Sequence, residues 1–187
     1  MSKPIEEKAM SDAAKPAAPV MPMIERRRIE ANILKYVYET LKARFGKEEA
    51  QKLVGESVRA AAVAQGRELA AKETGGTSLG SFADLLPQWT MEDALRLEVL
   101  ERTETTFAFN VTRCRYSEMY REMGLGEIGH LLSCQRDGTF CEGYDPKLKL
   151  ERTQTIMGGA SHCDFRYSYG EDEPARGPRP ATGPTES

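Results

Sequence analysis

The stretch Thr105 to Cys114, TTFAFNVTRC, decides the fold. Apolar side chains alternate through it, with Phe107, Phe109 and Val111 toward one face and Ala108, Asn110, Thr112 and Cys114 toward the other. That is the period-two pattern of a half-buried strand. Everything before it has a different period. Ile29, Ile33, Val37 and Leu41 recur at four-residue spacing with Leu34, Tyr38 and Phe45 beside them, which predicts a helix from Met23 with this stripe inward. Gly46 ends it, because glycine accepts the left-handed conformation that closes a helix. A second helix is expected from Lys47 to about Lys72, with Ala50, Leu53, Val54, Ser57, Val58, Ala61 and Leu69 on its buried side, and its many alanines predict close helix packing. Thr74 to Gly80 is a connection. Phe82 to Leu100, with Pro87 and the single tryptophan Trp89, reads as a third, less regular helical region.

Beyond the central strand, short helices are expected at Ser117 to Met123 and Glu127 to Cys134, and two further strands at Leu148 to Met157 and His162 to Tyr169, joined through Gly158 and Gly159. Helices first and strands later is the α+β arrangement: an N-terminal helical layer packed on a C-terminal antiparallel sheet with short helices.

Length and composition bound the rest. With 187 residues, one domain is expected, since division would leave pieces near the size at which burial becomes marginal. Residues 1–22 and 170–187 are rich in Ala, Pro, Gly, Lys and Glu and are expected to be disordered tails, leaving 23–169 as the folded unit. Against 26 Lys and Arg stand 29 Asp and Glu, a net charge of -3 with interleaved signs. Such a surface offers no basic stripe for phosphates, so nucleic acid is excluded as the expected partner. No apolar run approaches the roughly 20 residues that cross a bilayer, and no secretory leader precedes the core, so a cytoplasmic protein without membrane contact is expected. Three amphipathic segments expose more apolar surface than one small sheet can cover, which allows for a homodimer.

Four cysteines lie at positions 114, 134, 141 and 163, none in a C-x-x-C pair, and thiols are expected in place of disulfides. Cys114 ends a strand, Cys134 ends a short helix and Cys163 starts a strand after a glycine-rich turn, and sites are commonly built at element ends. Acidic residues accompany them in Cys114-x-x-x-Glu118, Cys134-x-x-Asp137 and Cys163-Asp164. One reading is a thiolate nucleophile in a positive field from Arg113, Arg115, Arg136 and Arg152. Another is a metal held by several of Cys114, Cys134, Asp137 and Cys163, for which zinc or another divalent ion suits the donors, although no short chelating pair is present to seed it. A third is that these are plain buried hydrophobes, which suits Cys141 best. His130 in GEIGHLL reads as a partly buried side chain bonded to backbone. Alternation sends His162 to the face opposite Cys163. Glu25 to Arg28 reads as a solvated helix face.

The segments FNVTRCRYSEMYREMGLGEIGHLLSCQRD, GYDP and LERTQTIMGGASHCDFRY, with RRRIEANILKYVYETLKARFG and AAAVAQGRELA before them, resemble the L-2-amino-thiazoline-4-carboxylic acid hydrolase family over nearly the whole folded core. The resemblance implies hydrolysis of a carbon-nitrogen bond in a small, carboxylate-bearing cyclic amidine or amide. Cys163, Cys134, Asp137 and Asp164 are the expected catalytic residues, and no cofactor is required. An acid must protonate a ring or exocyclic nitrogen, because the amidine carbon is otherwise a poor electrophile; Asp137 or Asp164 would serve if burial raises its pKa. Arg113 and Arg152, with Cys114, are the expected substrate-binding residues, since a guanidinium grips a carboxylate through two parallel hydrogen bonds. The helix-then-sheet order is also similar to small ligand-binding domains of the 4-vinyl reductase type, which implies a rival: a binding or zinc-holding module without turnover. A redox switch between paired cysteines is the remaining alternative.

Overall fold

The computed structural model describes residues 20–170, so the expected tails lie almost entirely outside the described residues. Within them the chain runs as α1 (Met23–Phe45), α2 (Lys47–Ala70), α3 (Leu79–Asp84), α4 (Pro87–Thr90), a 3-10 turn (Met91–Asp93), β1 (Leu95–Arg102), β2 (Thr106–Cys114), α5 (Arg115–Glu122), a π-helical turn (His130–Cys134), α6 (Gln135–Tyr144), β3 (Leu148–Glu151) and β4 (Cys163–Tyr169). The four strands form one antiparallel sheet in the order β1-β2-β4-β3. This is the α+β layout that the switch from helical to alternating period predicts. No helix among the described residues is long and apolar enough to cross a membrane.

Two local readings differ from the sequence expectation, and one helix has no counterpart in it. Leu95 to Leu100, expected as helix, belongs to edge strand β1, which pairs with β2. Gln135 to Tyr144 is helical although it contains Gly138 and Gly143, because Phe140, Cys141 and Tyr144 bury one face against the sheet side of the core. The strand expected to run to Met157 stops at Glu151, and residues 152–162 form a loop.

The inward face of α1 is also rotated from the expected one. Ile29, Ile33, Val37 and Phe45 are 55%, 68%, 41% and 59% exposed, while Ile24, Arg27, Ala31 and, from the expected stripe, Tyr38 are buried, and Leu34 and Leu41 pack against the core. Both stripes repeat at helical spacing, and packing selected the one with small Ala31 facing the neighbouring elements.

Helix α2 packs on α1 and, more extensively, on α6. A β-carbon on Gly66 would sit 2.4 Å from the Phe140 carbonyl oxygen, and one on Gly143 2.1 Å from that of Val63. The two backbones approach so closely only because both contact residues are glycine. Phe107, Phe109 and Val111 of β2 join Cys163, Phe165 and Tyr167 of β4 on the sheet face covered by α6 and the α3–α4 segment.

Candidate functional site

Between the sheet and the helices lies a cavity of about 100 Å³. Cys163 and Tyr167 from β4, Phe109 from β2 and Phe140 from α6 supply part of its wall, with Trp89 closing one side. Cys114, Cys134, Asp137 and Arg152 line it as well, so three of the four cysteines and the acid expected to accompany them converge on one space. Cys141 does not line it; it is buried on α6 and bonded to the Asp137 carbonyl.

Cys114 reaches the cavity through an irregularity in the strand. Simple alternation puts it on the face opposite Val111. The pairing of β1 with β2 slips between Arg96 and Leu97, whose partners are Arg113 and Val111, leaving Thr112 as the extra residue. One extra residue inverts the parity of the positions after it, so Cys114 comes round to the side of Phe109 and Val111. Cys134 arrives at the end of the π-helical turn, and Asp137 one turn later on α6.

Arg152 ties these parts together. From the loop after β3 it donates to the Asp137 carboxylate and, at 2.9 Å, to the Cys134 carbonyl, with its guanidinium 5.0 Å from the centre of the Phe165 ring. Burial pushes the Asp137 carboxyl up, and the Arg152 charge opposes that shift. Burial also pushes the Cys114 thiol to about 11, against the pull of the Ser117 and Tyr116 amides, and the Cys134 thiol to about 12. Cys163 is raised by burial too, but its sulfur accepts the Ile156 backbone N–H at 3.2 Å and feels the Arg152 charge, both of which favour its thiolate.

Two expected site residues lie elsewhere. Asp164 follows Cys163 in β4 and therefore faces the other side of the sheet, where it accepts the Thr153 hydroxyl at 2.6 Å and the Thr153 and Gln154 amides at 3.0 and 2.9 Å. Burial acts to raise its pKa, and these donors override that and hold it at about 2, which suits a loop anchor and not an acid. Arg113 also points away from the cavity. It is bidentate to Glu118 at 2.9 and 3.1 Å and bridges to Asp93 at 3.2 Å, beside the left-handed pair Glu92 and Asp93. The His162 ring contacts the Gln154 side-chain amide at 3.0 Å, and His130 is exposed.

Sequence reasoning missed Arg27. This side chain, expected on a solvated face, is 5% exposed and lines the cavity, where it donates to Glu30 at 2.7 and 2.9 Å and to Gln65 at 2.7 Å. Its four-residue spacing to Ala31 was the one signal that could have found it. Among the described residues no three His, Cys, Asp or Glu side chains are placed to hold a metal ion. The donor set Cys114, Cys134, Asp137 and Cys163 shares the cavity without forming such a cage, and Asp137 is already engaged by Arg152.

Comparison with known proteins gives one clear relationship. No curated protein sequence matches the chain. Among solved structures it is similar to the phenol-responsive sensory domain of the transcription activator PoxR with phenol, at 14% identity and a TM-score of 0.46 over 81% of this chain and 76% of that one. It is also similar to a trafficking protein particle complex subunit 3 from Naegleria fowleri covalently bound to palmitic acid, at 12% identity and a TM-score of 0.44 over 77% of this chain and 97% of that one. The model of the L-2-amino-thiazoline-4-carboxylic acid hydrolase family matches residues 26–167, which span α1 to β4 and include every cavity residue named above. The chain belongs to the L-2-amino-thiazoline-4-carboxylic acid hydrolase family.

Proposed function

We propose that the protein hydrolyses a carbon-nitrogen bond in a small carboxylate-bearing nitrogen heterocycle, a cyclic amidine or amide like 2-aminothiazoline-4-carboxylate. The observation that carries this reading is the meeting of Cys163, Cys134, Asp137 and Arg152 in one aromatic-walled cavity. An amidine is a base, and a neutral thiol beside it is an acid. Cys163 gives its proton to the ring nitrogen as its sulfur bonds to the amidine carbon, so the electrophile is activated by the same proton that frees the nucleophile. The Ile156 amide donates to the sulfur and the Arg152 charge favours its thiolate through this transfer. Asp137, kept high by burial, delivers the proton that lets the ring nitrogen leave with the bonding pair. Water then adds to the sulfur-bound carbon, one of its protons returning to Asp137 and the other leaving with the thiol. The four cysteines are free, which suits a reducing compartment such as the cytoplasm.

Turnover of cyclic amidines, lactams and hydantoins tests the reading. Cys163→Ser and Asp137→Asn are each expected to lose about a hundredfold or more in kcat/KM, roughly 3 kcal/mol. A parent protein that opens none of these rings removes the hydrolase, and a Cys163→Ser variant with full activity removes Cys163 as the nucleophile. The raised Cys114 and Cys134 thiols favour a second reading, a pocket that binds its ligand and leaves it intact; stoichiometric binding without product is its signature.

A further inference from the structure

The helical wall of the cavity carries charge that the protein does not neutralise. Arg27 and Arg136 line the cavity from α1 and α6, and Arg152 lines it from the loop after β3. Their carboxylate partners are two. Glu30 takes Arg27 at 2.7 Å and Arg136 at 3.2 Å, and the exposed Arg26 shares it at 3.2 Å; Asp137 takes Arg152. Even with Asp137 ionised, three largely buried guanidiniums face two carboxylates. Asp137 feels Arg27 and Arg136 as well as Arg152, so the three cations act on a single space.

Arg136 bears the excess. Burial and the neighbouring Arg27 charge lower its pKa to about 10, an unusual position for a guanidinium. Among the described residues its Nε donates to the Leu132 carbonyl at 3.0 Å and its Nη2 to Glu30, while its Nη1 has no protein acceptor. No buried side-chain nitrogen or oxygen among the described residues lacks a partner, so that free donor is accessible, and the side chain is one that lines the cavity. A largely buried cation surplus beside an apolar chamber is costly unless an anion completes it, and the accessible N–H is the donor such an anion would meet.

We propose that Arg136, backed by Arg27, forms a carboxylate subsite at the helical end of the cavity, and that the ligand is an anion attached to a small flat ring held among Trp89, Phe109, Phe140 and Phe165. This places the carboxylate on the helical layer and leaves Arg152 to orient Asp137. The subsite rests on the proposed function only in sharing its cavity.

Benzoate and its neutral isostere benzamide are suitable probes for titration calorimetry on the full chain. Benzoate is expected to bind the parent about tenfold or more tightly than benzamide, as a charge-assisted hydrogen bond gives. Arg136→Gln removes that preference and leaves benzamide affinity within about threefold, while its unfolding midpoint stays at or above the parent's because a repulsive charge has gone. Arg136→Lys keeps the charge without the fork and retains part of the preference. Equal binding of the two probes by the parent, absence of benzoate binding, or an Arg136→Gln protein that still prefers benzoate each overturns the subsite. The parent comparison needs no variant to fold. Benzoate binding that depends on Arg136 in a protein without turnover keeps the subsite and removes the hydrolase; turnover by a parent that binds benzoate no better than benzamide does the reverse.

Discussion

Arg152 and Asp137 lie fifteen positions apart and form an ion pair that bridges the loop after β3 to helix α6, with side chains 15% and 31% exposed. Removing one partner leaves the other charge in an apolar wall. Arg152→Met fills most of the volume and retains contact with Phe165, yet strands the Asp137 carboxylate. We expect a loss of about 1 to 3 kcal/mol, read as a lowered urea midpoint, because the Asp137 carboxyl is left with either a buried charge or a proton that has no partner. The double variant Arg152→Met with Asp137→Leu should recover much of that loss. If the single and double variants are equally unstable, the pair is not the source.

Asp164 and Asp137 should separate cleanly by phenotype. Asp164 anchors Thr153 and Gln154 on the outer face of the sheet and has no access to the cavity. Asp164→Asn halves its accepting capacity and is expected to cost about 1 kcal/mol of stability while turnover or ligand affinity stays within about threefold. Asp137→Asn should lose activity and also the stability of its pair with Arg152, with the outer loop unchanged. Urea melts and kinetics on the two proteins decide it, and an inactive but fully stable Asp164→Asn would return that residue to the site.

The class of fold was legible because hydrophobic period is a local property: four-residue spacing up to the α2 region and alternation through Phe107, Phe109 and Val111 need no partner to be read. Which of two apolar stripes on α1 turns inward was not legible, since Ile29 and Ile33 are as hydrophobic as anything that replaced them and only the neighbours decide. Convergence of Cys114, Cys134, Asp137 and Cys163 followed from their positions at element ends. The side each one faces did not. Alternation applied to Cys163 and Asp164 would have excluded Asp164, whereas the bulge at Thr112 that turns Cys114 inward leaves no mark in the sequence. Arg27 was hidden because a charge run on a helix is ordinarily solvated, and its burial depends on Glu30, Gln65 and the cavity together.

One helix should respond in opposite directions to the same substitution. A β-carbon at Gly143 would meet the Val63 carbonyl oxygen at 2.1 Å, a backbone atom with no rotamer to escape through, and Gly143→Ala must therefore part α6 from α2. We expect about 3 kcal/mol of destabilisation. At Gly138, five residues earlier, nothing lies within 4 Å of the new carbon, and Gly138→Ala should gain up to about 1 kcal/mol from helix propensity. Thermal melts of the two single variants test the α2–α6 contact directly. Equal shifts in either direction would contradict it.

The thiols predict how stability falls in alkali. A cysteine in the unfolded chain titrates near 8.5. In the folded protein burial pushes Cys114 to about 11 and Cys134 to about 12, so above the unfolded value protons leave the unfolded chain first. The stability these thiols contribute is therefore fully present below about pH 8.5 and is lost as pH rises through 11 and 12, because ionisation draws the equilibrium toward the unfolded chain. Each thiol ionised only in that chain steepens the decline by about 1.4 kcal/mol per pH unit. Tyr116, Tyr120 and Tyr167 are raised by burial as well, but they are common to parent and variant and cancel in the comparison. A Cys114→Ala, Cys134→Ala protein should lose stability more gently than the parent between about pH 9 and 11, by up to about 2.7 kcal/mol per pH unit in slope. The same neutrality predicts slow labelling of the native parent by iodoacetamide at about pH 7 compared with the urea-unfolded chain, since the thiolate is the reactive form. Parallel stability profiles for parent and variant, or native labelling of Cys114 and Cys134 as fast as in the unfolded chain, would show that these two thiols are already ionised in the folded protein.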